Sequence, residues 1–266
     1  MSKRSKFFAG VILTGWPIMY GCGGQKNIDT AAAESQLNIV GGTTVSSALY
    51  QSKFTSIASL RYGGSHFCGG TLIAANKILT AAHCLADFSS TEIKNSITVV
   101  LGSSSLGSSS GATTFKIAGY KIDSRYDAST SQFDVAVITL NGTSTITPAP
   151  INTSTAVPAV GEKTYVAGWG STQEGGNVSS ALKYTTVAVV SNAECTNDYG
   201  SDIYFGSLCA FTKNTDSCQG DSGGPLYSYD GTKLTVIGVV SWGNGCAREG
   251  YPGVYSRLSE FSPLSM

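Results

Sequence analysis

The chemistry of this chain is concentrated in the run Asp216-Ser217-Cys218-Gln219-Gly220-Asp221-Ser222-Gly223-Gly224-Pro225. Ser222 is a candidate nucleophile set among glycines, which let backbone N–H groups approach a reacting oxygen. One carboxylate, Asp221, stands beside it, and a second, Asp216, lies upstream. A serine hydroxyl attacks poorly at neutral pH unless a base lies within hydrogen-bond reach and a third group orients that base. The sequence has 2 histidines, so only His66 and His83 can be that base. For the third group, Asp134 heads the apolar, β-branched run Val135 to Leu140, which reads as a buried strand. A carboxylate entering such a strand is costly unless it is hydrogen-bonded, and an imidazole N–H supplies the partner. Asp123 and Asp127 lie nearby in polar, turn-like sequence and are weaker candidates. The chemistry such a set performs is acyl transfer through a covalent serine intermediate.

Gly220-x-Ser222-x-Gly224 also fits the nucleophile elbow of α/β-hydrolases. In that fold the histidine follows the serine, whereas here both histidines precede Ser222, so that reading is excluded. The order His, Asp, Ser is the chymotrypsin type. Thr80-Ala81-Ala82-His83-Cys84, Asp134-Val135-Ala136-Val137-Ile138-Thr139-Leu140 and the Ser222 segment together resemble the trypsin/chymotrypsin family of serine proteases. The resemblance implies that His83 is the base, Asp134 its orienting acid and Ser222 the nucleophile. It implies an oxyanion hole made by the N–H groups of Gly220 and Ser222. It gives His66, in Ser65-His66-Phe67-Cys68-Gly69-Gly70, a structural place, holding Asp221 in an inactive precursor.

The same resemblance places Asp216 at the floor of the primary specificity pocket. A carboxylate walled by apolar surface demands a cation, here a substrate Lys or Arg before the scissile bond. The alternative is a turn residue beside a disulfide. Ser241-Trp242-Gly243 resembles the strand that pairs with extended substrate backbone. Gly243 and Gly253 match the pocket-wall glycines. Ile39-Val40-Gly41-Gly42 resembles the family's mature N-terminus. A cut before Ile39 would free an ammonium group that inserts beside Asp221, leaving the precursor with a poorly formed pocket. The residue before the cut is Asn38 rather than Lys or Arg, so cleavage of Asn38–Ile39 by a different protease, or by an atypical self-cleavage, is expected, the remaining alternative being an enzyme that stays uncut and nearly inactive.

Lys3-Arg4-Ser5-Lys6 followed by the mostly apolar Phe7 to Tyr20 reads as a secretory signal peptide over residues 1–21, too short for a membrane span. The chain has 7 cysteines, an odd number. The resemblance pairs Cys68 with Cys84, Cys195 with Cys209 and Cys218 with Cys246, which implies an oxidising compartment. Cys22 is left over. Gly21-Cys22 resembles a bacterial lipoprotein processing site. Either Cys22 is lipidated, and pro-segment 22–38 tethers the enzyme to a membrane until activation, or signal cleavage occurs nearby without lipid. Both readings place the protein outside the cytoplasm, secreted or anchored.

Charged residues are only 13% of the chain and the formal net charge is zero, against about 25% charged in average soluble proteins. With no basic stripe, a nucleic-acid partner is excluded. No cofactor is expected. The loop Gly102–Gly111 lies where many relatives bind calcium, but it has no carboxylates, so no metal is expected there. Pro252 stands where sodium-activated relatives carry Tyr, so sodium activation is not expected.

These residues must be held by a scaffold. Short β-branched runs recur between Gly/Ser-rich turns, at Thr71–Ile73, Ile97–Leu101, Val135–Leu140, Thr185–Val190 and Val236–Val240. That pattern predicts an all-β chain with antiparallel strands, in a sandwich or in barrels. The resemblance covers 39–258 and implies two six-stranded antiparallel β-barrels, chymotrypsin-like, with the active site at their interface. It assigns about 39–147 and 161–256 to the barrels, with a linker over about 147–161. The catalytic unit, 39–266, is long enough to bury a substantial core and is expected to act as a monomer. A short C-terminal helix over Arg257–Phe261 must stop before Ser262-Pro263, and the family's usual Trp-Ile ending is absent. The rival function is a non-catalytic protease homologue acting as a binding module. Such a protein normally lacks one of the three catalytic side chains, and this chain carries all of them.

Overall fold

The computed structural model describes residues 39–261. The expected signal peptide, Cys22, the pro-segment and Asn38 lie outside the described residues, as do residues 262–266. Thirteen strands form: β1 (Thr43–Thr44), β2 (Ile57–Tyr62), β3 (Ser65–Ala74), β4 (Lys77–Thr80), β5 (Ile97–Leu101), β6 (Thr113–Ile122), β7 (Ala136–Leu140), β8 (Lys163–Gly168), β9 (Lys183–Val190), β10 (Ser207–Phe211), β11 (Pro225–Tyr229), β12 (Leu234–Trp242) and β13 (Gly253–Arg257). β9 shows why such segments are strands: in Lys183-Tyr184-Thr185-Thr186-Val187-Ala188-Val189-Val190 buried and half-buried residues alternate along its whole length. That period of two fits a pleated strand with one face on a core.

Strands β2-β3-β4-β7-β6-β5 close into one antiparallel barrel. Strands β9-β10-β13-β12-β11-β8 close into a second through the β8–β9 pairing. The structure therefore decides for barrels over a sandwich. β1 does not start the first barrel. It adds to the second, with Thr43 opposite Tyr184, so the residues after Ile39 lie against the barrel that carries Ser222. Leu60, Leu72, Ile78 and Ile138 fill the first barrel, and Val166, Val187, Leu208 and Ile237 fill the second, all at most 1% exposed. Each such side chain contributes about 1.5–3 kcal/mol of hydrophobic stabilisation.

All three expected disulfides are formed, Cys68–Cys84, Cys195–Cys209 and Cys218–Cys246. The C-terminal helix is a single 3₁₀ turn, Leu258–Phe261. It docks without the Trp-Ile ending because Leu258 and Phe261 are both buried in the core. Among the described residues, no helix is long and apolar enough to cross a membrane.

Candidate active site

His83 opens the short helix His83–Ala86, directly after β4. Its backbone N–H donates to Asp134 Oδ1 at 2.8 Å, and its ring Nδ1 lies 2.7 Å from Oδ2. Asp134 is fully buried, yet Oδ2 also accepts the Ser241 hydroxyl at 2.5 Å, and the Asp134 carbonyl accepts the Ser256 hydroxyl at 2.9 Å. Three donors to the carboxylate offset its desolvation, which would otherwise be prohibitive. With Nδ1–H facing a carboxylate, Nε2 is left as the acceptor nitrogen. The His83 side chain is 32% exposed, so the ring is reachable from solvent.

Ser222 comes from the other barrel, in the turn before β11. Its carbonyl accepts the Gly69 N–H at 2.7 Å, and the Gly69 carbonyl in turn accepts the Thr80 hydroxyl at 2.8 Å. Gly69 follows Cys68, whose disulfide partner Cys84 follows His83. The Ser222 turn is thus fastened to the same segment that carries His83. Gly220 has φ +96°, a region L side chains avoid. Among the described residues, the amides of Gly220 and Ser222 have no backbone acceptor, whereas Asp221, Gly223 and Gly224 donate to Cys218, Val240 and Asp221 respectively. Two unspent donors beside the nucleophile are what an oxyanion hole needs.

His66 is spent elsewhere. Its Nε2–H donates to the Gly220 carbonyl and Nδ1 accepts from Ser59 Oγ, both at 2.9 Å. Burial depresses its pKa to about 4, partly opposed by the Gly220 carbonyl, so the ring stays neutral. It touches Gly220 rather than Asp221, which differs from the contact expected in a precursor. Asp221 takes the N–H groups of Gly170 at 2.8 Å and Cys218 at 3.0 Å. Burial pushes this carboxyl up to about 7 against those two amides. No cation pairs with it among the described residues.

Asp216 lies at the bottom of a cavity of about 190 Å³ that Ser222, Trp242, Gly243 and Gly253 also line. It is 5% exposed. Oδ2 accepts the Ala247 N–H at 2.9 Å, but the buried Oδ1 has no donor in good hydrogen-bond geometry, Ser217 acting on the carboxyl only more weakly. Burial raises its pKa to about 6, opposed by the Ala247 and Ser217 donors. Gly253 must be glycine for space: a Cβ there would stand 2.9 Å from Asp216 Oδ1. Tyr199 braces the wall, its hydroxyl donating to the Pro252 carbonyl at 2.8 Å and its ring 4.8 Å from Trp242.

The Trypsin family model matches residues 39–264, which span every element of this site. The chain belongs to the trypsin family. It is 43% identical to trypsin alpha-4 of Lucilia cuprina over 228 residues, covering 83% of each chain. It is 41% identical to trypsin delta of Drosophila melanogaster over 229 residues, 83% of this chain and 84% of that one. Family and fold make this trypsin-family chain a serine-type endopeptidase, acting on proteins or peptides. Its three disulfides fit an oxidising, extracytoplasmic compartment.

Several groups that build the site were not legible from motifs. Ser241 is marked in the sequence only as part of a substrate-pairing strand, yet its hydroxyl bonds Asp134. Ser256 and Ser59 sit in ordinary strand sequence, and nothing in their spacing announces contacts 122 and 7 residues away. The Gly102–Gly111 loop leans on the second barrel, where the Leu106 amide donates to the Ser180 carbonyl at 2.8 Å. Among the described residues, the one trio of potential metal ligands is Cys68, His83 and Cys84, and its two sulfurs are bound to each other.

Proposed function

We propose that the processed enzyme cleaves peptide bonds after Lys or Arg, using His83, Asp134 and Ser222 as its catalytic triad. The carrying observation is the buried Oδ1 of Asp216, without a donor in good geometry, at the floor of a cavity that opens on Ser222. A ligand that brings a cationic donor would complete that carboxylate with a charge-assisted pair. With the side chain seated, the carbonyl that follows it lies at Ser222. The Ser222 hydroxyl attacks that carbon while His83 Nε2 takes the proton, and Asp134 steadies the imidazolium. The N–H groups of Gly220 and Ser222 receive the oxyanion, each contributing about 3 kcal/mol. The intermediate collapses as His83 returns the proton to the leaving amine, and water repeats the sequence on the acyl-enzyme. Ser241, Trp242 and Gly243 offer an edge to the substrate backbone. A panel of peptides differing only in the residue before the scissile bond tests the reading. Arg and Lys should lead, and faster cleavage after Phe or Ala overturns it.

Affinity for a small cation should report the Asp216 titration. In the free protein this carboxyl is protonated below about 6, and a guanidinium binds the ionised form. Affinity therefore rises with pH, roughly tenfold per unit below that point, and levels off above it. Calorimetry of an arylguanidine on the Ser222→Ala protein measures this without interference from turnover. Affinity that stays flat from pH 4 to 8 contradicts a cation-binding Asp216.

Activation is read from Asp221. Leaving a buried charge unpaired costs about 3–5 kcal/mol, and a new ammonium at Ile39 would supply the missing cation. Ile39 is itself fully buried, and the Val40 carbonyl accepts the Asp216 N–H at 3.1 Å, so the turn that would carry the new terminus lies against the Asp216 segment. An enzyme that selects Lys and Arg has no grip on Asn38. Purified precursor should stay inactive alone and gain activity when a protease that cuts after Asn is added. Rapid self-conversion with Ile39 as the new N-terminus counts against a separate activator.

A further inference from the structure

Phe133, the residue just before Asp134, has φ +54°. That is the left-handed region, a genuine outlier for a bulky aromatic residue, and it persists only where the surroundings enforce it. The turn is tight: the Val135 N–H donates back to the Phe133 carbonyl at 2.8 Å, which puts Asp134 at the centre of a three-residue turn. The direction of the Asp134 side chain is therefore set by the backbone of Phe133.

Beyond that turn, the backbone is held from the second barrel. The Phe133 N–H donates to the Tyr204 hydroxyl at 2.6 Å. Tyr204 belongs to the second barrel and is itself pinned there: its carbonyl accepts Asn192 Nδ2 at 3.1 Å, and its N–H donates to Ser207 Oγ at 3.2 Å. Burial pushes its phenol up to about 12, against the Phe133 amide, so it stays protonated through the working range. The Phe133 and Tyr204 rings lie 4.8 Å apart. On the outer side the Arg125 guanidinium stands 4.3 Å over the Phe133 ring and 5.4 Å over Phe261. It is fixed by two hydrogen bonds to Asp123, at 2.9 and 2.8 Å. The short C-terminal turn thus ends in the same aromatic stack that braces the residue before Asp134.

We propose that Tyr204 is a positioning residue for Asp134: its hydroxyl holds Phe133 in the left-handed conformation that aims the carboxylate at His83. This rests on the reading of Asp134 as the acid of the triad. Tyr204 touches neither substrate nor the reacting atoms. Its effect should therefore appear in the chemical step and not in substrate binding.

The test uses enzyme processed before Ile39, with competent sites counted by a burst titrant that acylates Ser222. Tyr204→Phe keeps the ring and removes one hydrogen bond. It should lower kcat per titrated site about five- to tenfold, the range one lost hydrogen bond supports, with KM for an Arg amide within about twofold. Glycine takes positive φ without penalty, so adding Phe133→Gly to Tyr204→Phe should restore at least half of the lost kcat. A Tyr204→Phe enzyme whose kcat per site stays within twofold of wild type, with only fewer titratable sites or a lower Tm, makes Tyr204 merely structural and overturns the proposal. A loss that glycine does not relieve also overturns it. Failure of the underlying triad reading looks different: the wild-type protein itself then shows no burst and no turnover.

Discussion

Ser222→Ala should lower kcat for an Arg amide substrate by roughly 10⁵- to 10⁶-fold, the scale found when the nucleophile of a serine protease is removed. The residue that remains still has its amide, so the oxyanion donors survive, and with them a residual rate above that of water. The substitution should leave the fold unchanged. What ties Ser222 into the protein is its carbonyl, bonded to the Gly69 amide at 2.7 Å, and alanine keeps that bond. Asp134, His83 and the Cys68–Cys84 link are untouched. Hydrolysis and thermal melting measured on the same preparation separate the two effects. Turnover near wild type would remove Ser222 from the chemistry, and a large drop in Tm would mean that the loss reports unfolding. The same protein should no longer react with a serine-directed phosphonate, which labels the wild type and would not label a non-catalytic binding module.

How much of this was legible beforehand depends on the type of residue. Ser222, His83 and Asp134 carry their chemistry in their identity and chain order. The structure brings His83, at the start of the helix after β4, and Asp134, in the turn before β7, into contact at 2.7 Å. The β-branched runs between Gly/Ser-rich turns were legible as strands, yet such runs say nothing of closure. Barrel and sandwich differ only in whether β8 returns to β9 and β2 to β5, and those are long-range pairings. The partners of Asp134 were hidden for the same reason. Ser241 read only as part of a substrate-pairing strand, and Ser256 as an ordinary strand serine, until β12 and β13 bring the first to the Asp134 carboxylate and the second to its carbonyl. Phe133 carries no signal of its own in the sequence. Its positive φ is accompanied by a hydrogen bond to Tyr204, 71 residues away, and no local propensity encodes that contact. The C-terminus taught the opposite lesson. The missing Trp-Ile ending put its docking in doubt, but Phe261 replaces that anchorage by stacking with Arg125 and Phe133.

Asp216→Asn should lower kcat/KM for Arg and Lys substrates by about 10²- to 10⁴-fold, because it removes one charge of a buried, desolvated pair. Asparagine keeps the shape, and its carbonyl oxygen can still accept the Ala247 amide. An activated ester of a small acid, which places nothing in the pocket, should be hydrolysed at near the wild-type rate, because the triad is intact. The ratio of Arg to Phe cleavage should therefore collapse while ester turnover stands. Loss of both would place Asp216 in the scaffold instead. Stability should move the other way. In the folded protein the carboxyl has a pKa of about 6, raised by burial from 3.8. A carboxyl raised in this way binds its proton more tightly when folded, so folding is undisturbed below the unfolded value and penalised as pH rises through the folded one. The penalty is complete above about 6 and is on the order of 2–3 kcal/mol. Without ligand, Asp216→Asn should match wild type at pH 4 and be the more stable protein at pH 7.5, and a bound guanidinium should narrow that gap by stabilising only the wild type. Equal Tm values for the two proteins at pH 7.5 would show that the pocket floor carries no such strain. On the proposed reading, the substrate's cation is what offsets the burial of that carboxylate.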